Sequence, residues 1–265
     1  MLVSLDRHKI YFDLVGAESA PVVCFGHSLA ADSGMWAEQV PALLAAGYAV
    51  LRIDLRGHGG STPLEAPYTI DQLADDVIAV ADALGVKQFD FAGLSIGGMF
   101  GQSLGLRYAQ RIKSLMLCDS QAATPADAQE RWNPRIAAVL KANSLEPLAD
   151  ATMGRWLTDE YKAAHPGRWK QIRDSVVGTT PQGYVGCSRA IQNFDFRPQL
   201  PSLNIPTLIV VGTDDPGAPP TESRNIAALL PKGHYQEIAG ARHLPNVEFP
   251  EVFNRMTLEW LAQHR

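Results

Sequence analysis

Apolar positions along the chain fall into two rhythms. Short apolar runs of strand length occur at 9–15 (KIYFDLV), 21–26 (PVVCFG), 48–54 (YAVLRID), 88–93 (QFDFAG), 113–119 (KSLMLCD), 207–212 (TLIVVG) and 234–239 (HYQEIA). Between them lie stretches with helical spacing, at 34–46, 70–84, 97–109, 220–230 and 249–263. The helix at 70–84 is the clearest. Ile70, Leu73, Val77, Val80 and Leu84 fall on one face, and Thr69 with Gln72 has the form of a capping box. Strand and helix alternate, which predicts an α/β class with a mostly parallel sheet covered on both faces.

The alternation stops between about 121 and 198, where no strand-like run occurs. Asn133-Pro134 and Thr180-Pro181 each have the form of a helix start, a capping residue followed by proline in the first turn. Three or four short helices are expected here, with Trp132, Trp156 and Trp169 among them. The predicted organisation is a core of 1–120 and 199–265, interrupted by a helical cap of 121–198. An insertion at that point would lie over the carboxyl edge of the sheet, where open α/β sheets bind ligands.

Candidate chemistry sits at the strand ends. Gly93-Leu94-Ser95-Ile96-Gly97 joins a predicted strand directly to a predicted helix. Such a turn needs small neighbours two residues either side of the serine. It lifts the hydroxyl above the sheet, at a helix N-terminus that favours developing negative charge. A serine needs a base, and the base needs an orienting acid. The expected chain order is serine, then acid, then histidine. His243 follows the last strand in Gly240-Ala241-Arg242-His243, and Asp214-Asp215-Pro216 follows the one before. Asp215 is preferred over Asp214, because Pro216 restrains the residue before it to an extended shape. The oxyanion donors are expected at the N–H of Ile96 and at Leu29, in the loop Phe25-Gly26-His27-Ser28-Leu29. His27 is read as a residue that orders this loop, and Arg56-Gly57-His58-Gly59-Gly60 as a structural turn without P-loop spacing.

Composition narrows the classes. With 265 residues, 46% of them hydrophobic, the chain can bury a core without disulfides or metal. Its net charge of −5 with no basic block argues against nucleic acid as a partner. Cys24, Cys118 and Cys187 form neither a disulfide framework nor a zinc pattern, so no metal and no cofactor are expected. The opening MLVSLDRHKI carries charges where a signal peptide needs an apolar stretch, and no uncharged run approaches the ~20 residues of a membrane helix. The expectation is a reduced, cytoplasmic protein that does not enter a membrane.

Seven stretches carry a resemblance: YTIDQLADDV (68–77), GLSIGGM (93–99), SLMLCD (114–119), RWNPRI (131–136), RWLTDEY (155–161), GYVGC (183–187) and HLPNVEFPEVFN (243–254). End to end the chain resembles the α/β-hydrolases with a helical cap. Within them it is most similar to the 3-oxoadipate enol-lactonases of bacterial aromatic-acid degradation. The resemblance implies a mostly parallel eight-stranded sheet and a cofactor-free serine hydrolase. Ser95, His243 and Asp215 would open a small lactone through an acyl-enzyme, in the β-ketoadipate pathway. The expected partner is a small lactone or ester, and a homo-oligomer is left open. Such a lactone carries a carboxylate while the chain is acidic, so a local cation is required. Arg135 is the preferred candidate, with Arg131 as the other and Trp132 as a wall for the ring. His27 stands where these lactonases often carry asparagine, and Ala30 where glycine is usual. Asp119-Ser120-Gln121-Ala122-Ala123-Thr124 lacks the arginine that often follows the sixth strand. Those departures leave a carboxylesterase or a C–C bond hydrolase as alternatives, and a non-catalytic small-molecule receptor as a further one.

Overall fold

In the computed structural model, which describes residues 1–264, eight strands alternate with helices. The strands are β1 (Leu2–Ser4), β2 (Lys9–Val15), β3 (Val22–Gly26), β4 (Ala49–Ile53), β5 (Phe89–Leu94), β6 (Ile112–Cys118), β7 (Thr207–Gly212) and β8 (Gly233–Ile238). They form one sheet in the order β1-β2-β4-β3-β5-β6-β7-β8. β2 pairs antiparallel with β1 and with β4, and all other neighbours are parallel. The seven strands expected from the pattern are all present. β1 was not expected, since three residues at a sheet edge are too few to show a period.

The core helices are α1 (Gln39–Ala45), α2 (Ile70–Ala83), α3 (Ile96–Arg107), and, after the inserted helices, α9 (Pro220–Leu229), α10 (Pro245–Glu248) and α11 (Pro250–Gln263). The capping box of α2 forms as expected, with Thr69 and Gln72 each closing on the other's backbone N–H at 3.1 Å. The helix expected at 34–46 is instead a 3-10 turn at Ser33–Trp36 followed by α1. The last residue of the predicted core segment, 265, lies outside the described residues.

Successive strand residues point to opposite faces, and β3 shows where the helices lie. The Phe25 ring packs 4.6 Å from Trp36, which in turn packs on Phe253 of α11. The next residue, Gly26, faces Phe100 of α3, so closely that a Cβ there would lie 2.5 Å from the ring. Thus α11 and α3 cover opposite faces, as the alternation of strand and helix predicts.

Between β6 and β7 stand α4 (Ala128–Ala142), α5 (Glu146–Trp156), α6 (Asp159–Ala164), α7 (Pro166–Gly178) and α8 (Pro181–Ile191). Named contacts tie this insert down. Thr180, which caps α8 as expected, donates from its backbone N–H and its Oγ1 to the Gly57 carbonyl at 2.9 and 2.8 Å. Arg168 of α7 pairs with Glu38, and the Leu244 N–H donates to the Trp156 carbonyl at 3.2 Å.

One expected boundary is wrong, and it matters for the site. Asn133-Pro134 does not start a helix; Pro134 lies inside α4. A proline in a helix interior frees the carbonyl four residues earlier. Here that residue, Glu130, is exposed, so water can take the bond. The Asn133 side chain does not cap either. Its Oδ1 accepts from Arg189 and Gln192 of the α8 end, at 3.1 Å each. As a result Arg131, Trp132 and Arg135 share one continuous helix.

Candidate active site

β5 runs into α3 with only Ser95 between them. Ser95 takes φ 60° and ψ −117°, a backbone that residues with side chains rarely adopt. The turn is possible because its flanks carry no Cβ. One on Gly93 would lie 2.1 Å from the Gly97 carbonyl oxygen, and one on Gly97 would lie 2.3 Å from that of Gly26. The turn is also pinned. The Ser95 N–H donates to the Cys118 carbonyl at 2.8 Å, and Ser120 Oγ donates to the Ser95 carbonyl at 2.8 Å.

The loops after β7 and β8 bring the expected acid and base together. His243 Nδ1 and Asp215 Oδ2 are 2.7 Å apart. Asp215 is 3% exposed, and its Oδ1 accepts from the Gly217 N–H at 2.7 Å. Burial opposes ionisation of Asp215. The His243 ring and the N–H groups of Gly217 and Ala218 outweigh that burial and hold its carboxyl below the usual carboxylate range. Asp214 is exposed and, among the described residues, accepts only from the Thr213 hydroxyl. Of the two aspartates, Asp215 is the one that the structure places against His243.

Ser95, Asp215 and His243 border one pocket, together with Ser28, Leu29 and Ala30 of the loop after β3. Leu29 follows the buried His27, whose Nε2 accepts from the Leu55 N–H at 2.8 Å while Nδ1–H donates to the Ser28 carbonyl at 2.7 Å. Both ring nitrogens are thus used in shaping the loop, and burial lowers the histidine's pKa, which keeps it neutral. Ile96 opens α3, where a helix leaves its N–H groups without acceptors. Neither Leu29 nor Ile96 spends its N–H on an acceptor among the described residues. Ala30, at the position where glycine was noted as usual, takes φ 66°. Arg56 of the glycine-rich turn binds Asp76, its Nη2 lying 2.9 Å from Oδ1. That agrees with a structural turn.

The opposite wall comes from the insert. Arg131, Trp132 and Arg135 of α4 line it with Thr152, Arg155 and Trp156 of α5 and Tyr184 of α8. The Arg135 guanidinium lies 5.3 Å from the centre of the Trp132 ring. Arg131 has a distant ion pair with Asp127 at 3.5 Å. Arg135 and Arg155 have no acidic partner among the described residues, and Arg155 bonds only to Thr152 Oγ1 at 3.0 Å. Burial, followed by the charges of Arg135 and Arg131, lowers the Arg155 pKa, which marks a cation short of an anion. A second cleft, lined in part by Thr124, Asp127 and Glu222, shares all three arginines with the pocket.

The structure thus brings Ser95, Asp215, His243, Leu29, Arg131, Trp132 and Arg135 around one cavity, with Ile96 adjoining it as the residue after Ser95. Two side chains were missed. Arg155 and Asp119 both line the pocket. Each stood at the end of a stretch carrying the resemblance, RWLTDEY and SLMLCD, without a pattern to single it out.

Residues 21–250 match the family described as alpha/beta hydrolase fold. The chain belongs to that family. It is 36% identical over 253 residues to 3-oxoadipate enol-lactonase 1 of Acinetobacter baylyi, covering 96% of this chain and 93% of that protein. The solved enol-lactonase of Burkholderia xenovorans LB400 superposes with a TM-score of 0.94 at 34% identity, covering 99% of this chain and 100% of that one. A malate-bound thermophilic esterase of Thermogutta terrifontis superposes with a TM-score of 0.92 at 26% identity, each chain covered completely at 100%. The protein is an ester-hydrolysing alpha/beta hydrolase. No helix among the described residues is long and apolar enough to cross a membrane.

Proposed function

We propose that the protein hydrolyses a small anionic lactone, 3-oxoadipate enol-lactone being the substrate best supported, and that residues 121–198 act as its cap. Three arginines facing Ser95 and His243 across one pocket carry this reading. An enol-lactone presents a reactive carbonyl at one end and a carboxylate at the other, and the pocket has matching groups at its two walls. Names of relatives point the same way.

In the proposed mechanism Ser95 Oγ attacks the lactone carbonyl and His243 takes its proton. Asp215 holds the ring by its Nδ1–H and stabilises the cation formed. The N–H groups of Leu29 and Ile96 bind the oxyanion, an effect worth ~10²–10³ in rate per donor in a model protease. Collapse breaks the ring ester bond and His243 protonates the departing enol oxygen. Water, activated by the same histidine, then releases the acid. Arg135 and Arg155 hold the free carboxylate, and Trp132 flanks the ring. An arginine fork grips a carboxylate through two parallel hydrogen bonds, and neither fork here has an acidic partner among the described residues.

A panel of anionic lactones, neutral lactones and p-nitrophenyl esters tests the reading. The expected order of kcat/KM places anionic lactones first. A preference for neutral esters would replace the lactonase reading with a carboxylesterase. Failure of a serine-reactive phosphonate to label Ser95 would remove the nucleophile.

A further inference from the structure

Asp119 has no part in that mechanism, yet it lies beside its acid and base. It directly follows β6 and is fully buried. Its φ of 45° is in the left-handed region. Two hydrogen bonds fix it to β7. Its N–H donates to the Val210 carbonyl, and its Oδ1 accepts from the Gly212 N–H, both at 2.9 Å. Its Oδ2 is buried and has no donor among the described residues. Atoms of Asp119, Asp215 and His243 all lie within 4.8 Å of one another.

Two buried carboxyl groups this close do not both ionise. Which one keeps the proton follows from the donors. Asp215 receives His243 Nδ1–H on one oxygen and Gly217 N–H on the other. Asp119 receives one N–H, from Gly212. Burial first, then the charge on Asp215, raises the Asp119 carboxyl well above the usual carboxylate range. The other charged or titratable groups around it do not reverse this. Arg131, Arg135 and Arg155 stand across the pocket on α4 and α5, and the Cys118 thiol, pushed up by burial, stays neutral. With both groups ionised, Oδ2 would face another acceptor. With a proton on Oδ2, it becomes the donor that Asp215 can accept. The same three side chains could suggest a cation site, but their atoms are committed. His243 Nδ1 and both Asp215 oxygens are hydrogen-bonded, and of the four carboxyl oxygens only Asp119 Oδ2 lacks a partner among the described residues.

We propose that Asp119 is a positioning residue: a neutral carboxylic acid whose Oδ2–H donates to Asp215 and holds that carboxylate on His243 Nδ1. The bond fixes the rotation of Asp215, whose own loop is exposed on either side, at Asp214 and Pro216. It also weakens Asp215 as a base, so the proton stays on Nδ1 and the other ring nitrogen remains the acceptor for Ser95. This rests on the proposed roles of Ser95, His243 and Asp215.

Asparagine keeps both functions, an Oδ1 for Gly212 and a neutral N–H donor for Asp215, whereas leucine keeps neither. Asp119→Leu should lower kcat about 10–100-fold with KM little changed, the range for a hydrogen bond to a charged group. Asp119→Asn should restore most of that loss. The acidic limb of its kcat/KM profile for p-nitrophenyl acetate should stay within about half a pH unit of the wild type, because one neutral group replaces another. If Asp119 were ionised, Asp119→Asn would delete a negative charge beside His243 and move that limb down by about a pH unit or more, which would overturn the proposal. A second measurement needs no turnover. Infrared difference spectra should show a buried carboxylic-acid carbonyl band in the resting protein that is lost in Asp119→Asn and in Asp119→Leu. Ser95→Ala should keep the band. A band unchanged in both Asp119 variants overturns the neutral acid and leaves the Ser95 reading standing. Retained activity in Ser95→Ala overturns that reading and leaves the band untouched.

Discussion

The two walls of the pocket are built differently. The core wall is made of loops that leave strand ends: Ala30 after β3, Ser95 after β5, Asp119 after β6, Asp215 after β7 and His243 after β8. Ala30, Ser95 and Asp119 are three of the four non-glycine residues with positive φ among the described residues. Such backbones cost of order 1–3 kcal/mol each and persist only where their surroundings enforce them. Here the surroundings are a sheet whose hydrogen bonds run straight into the site. The helical wall has none of this. Arg131, Trp132, Arg135, Arg155 and Tyr184 sit on regular helices, and the first four are only half-buried. The difference teaches a division of labour. In the proposed function, backbone strain and strand register fix where charge moves, while replaceable side chains on helices decide which molecule is held there.

Removing the serine should separate the walls most strongly. Ser95→Ala is expected to fold, bind an anionic lactone and lose about 10³–10⁶ in turnover. Titration calorimetry with the intact lactone checks the binding, and retained turnover would break the comparison at its centre. Next in size is the acid. Asp215→Asn should cost about 10³–10⁴ in kcat, as loss of the orienting acid does in a protease of this type. Asp214→Asn, on the exposed neighbour, should change kcat by less than about threefold. Steady-state kinetics of the two variants side by side gives the ranking, and the reverse order would move the acid to Asp214.

The helical wall should respond by substrate charge. Arg135→Ala and Arg155→Ala are each expected to lower kcat/KM for an anionic lactone by about 10–100-fold. Arg135→Lys should fall between wild type and Arg135→Ala, since an ammonium cannot copy the fork. Hydrolysis of a neutral p-nitrophenyl ester should change little in all three. Equal losses on both substrates would mean that the arginines support the insert rather than the carboxylate.

The last expected effect is on stability and leaves turnover aside. A carboxyl whose folded pKa is raised holds a proton that the unfolded chain releases. Such a group costs stability increasingly as pH rises above about 4, by at most about 1.4 kcal/mol per pH unit, until its folded pKa is reached. Asp119→Asn removes that cost. Denaturant unfolding should therefore show the variant gaining on the wild type between pH 4 and pH 7. Arg135→Ala, from the other wall, should give a curve parallel to the wild type over the same range.

Much of the core wall was legible because its chemistry is tied to local rules. A serine between glycines at a strand-to-helix turn, and a proline after Asp215, each constrain a few neighbouring residues and can be read in order. The helical wall was read less well for a specific reason. Asn133-Pro134 has the local form of a helix start, but the side chain of Asn133 is satisfied by Arg189 and Gln192 of another helix, so α4 continues through it. No local rule contains that contact.

By itself the sequence determined the α/β alternation, the interruption after β6, and the placing of Ser95, Asp215 and His243, each just past a strand. These follow from periodicity and turn chemistry, which act over a few residues. Only the tertiary structure decided that Arg155 joins Arg135 against the cavity, and that Asp119 meets Asp215 across the ends of β6 and β7. Those pairings are distant in the chain. The parallel order of the sheet and the packing of α4 against α5 and α8 create them, and no spacing along the sequence records them.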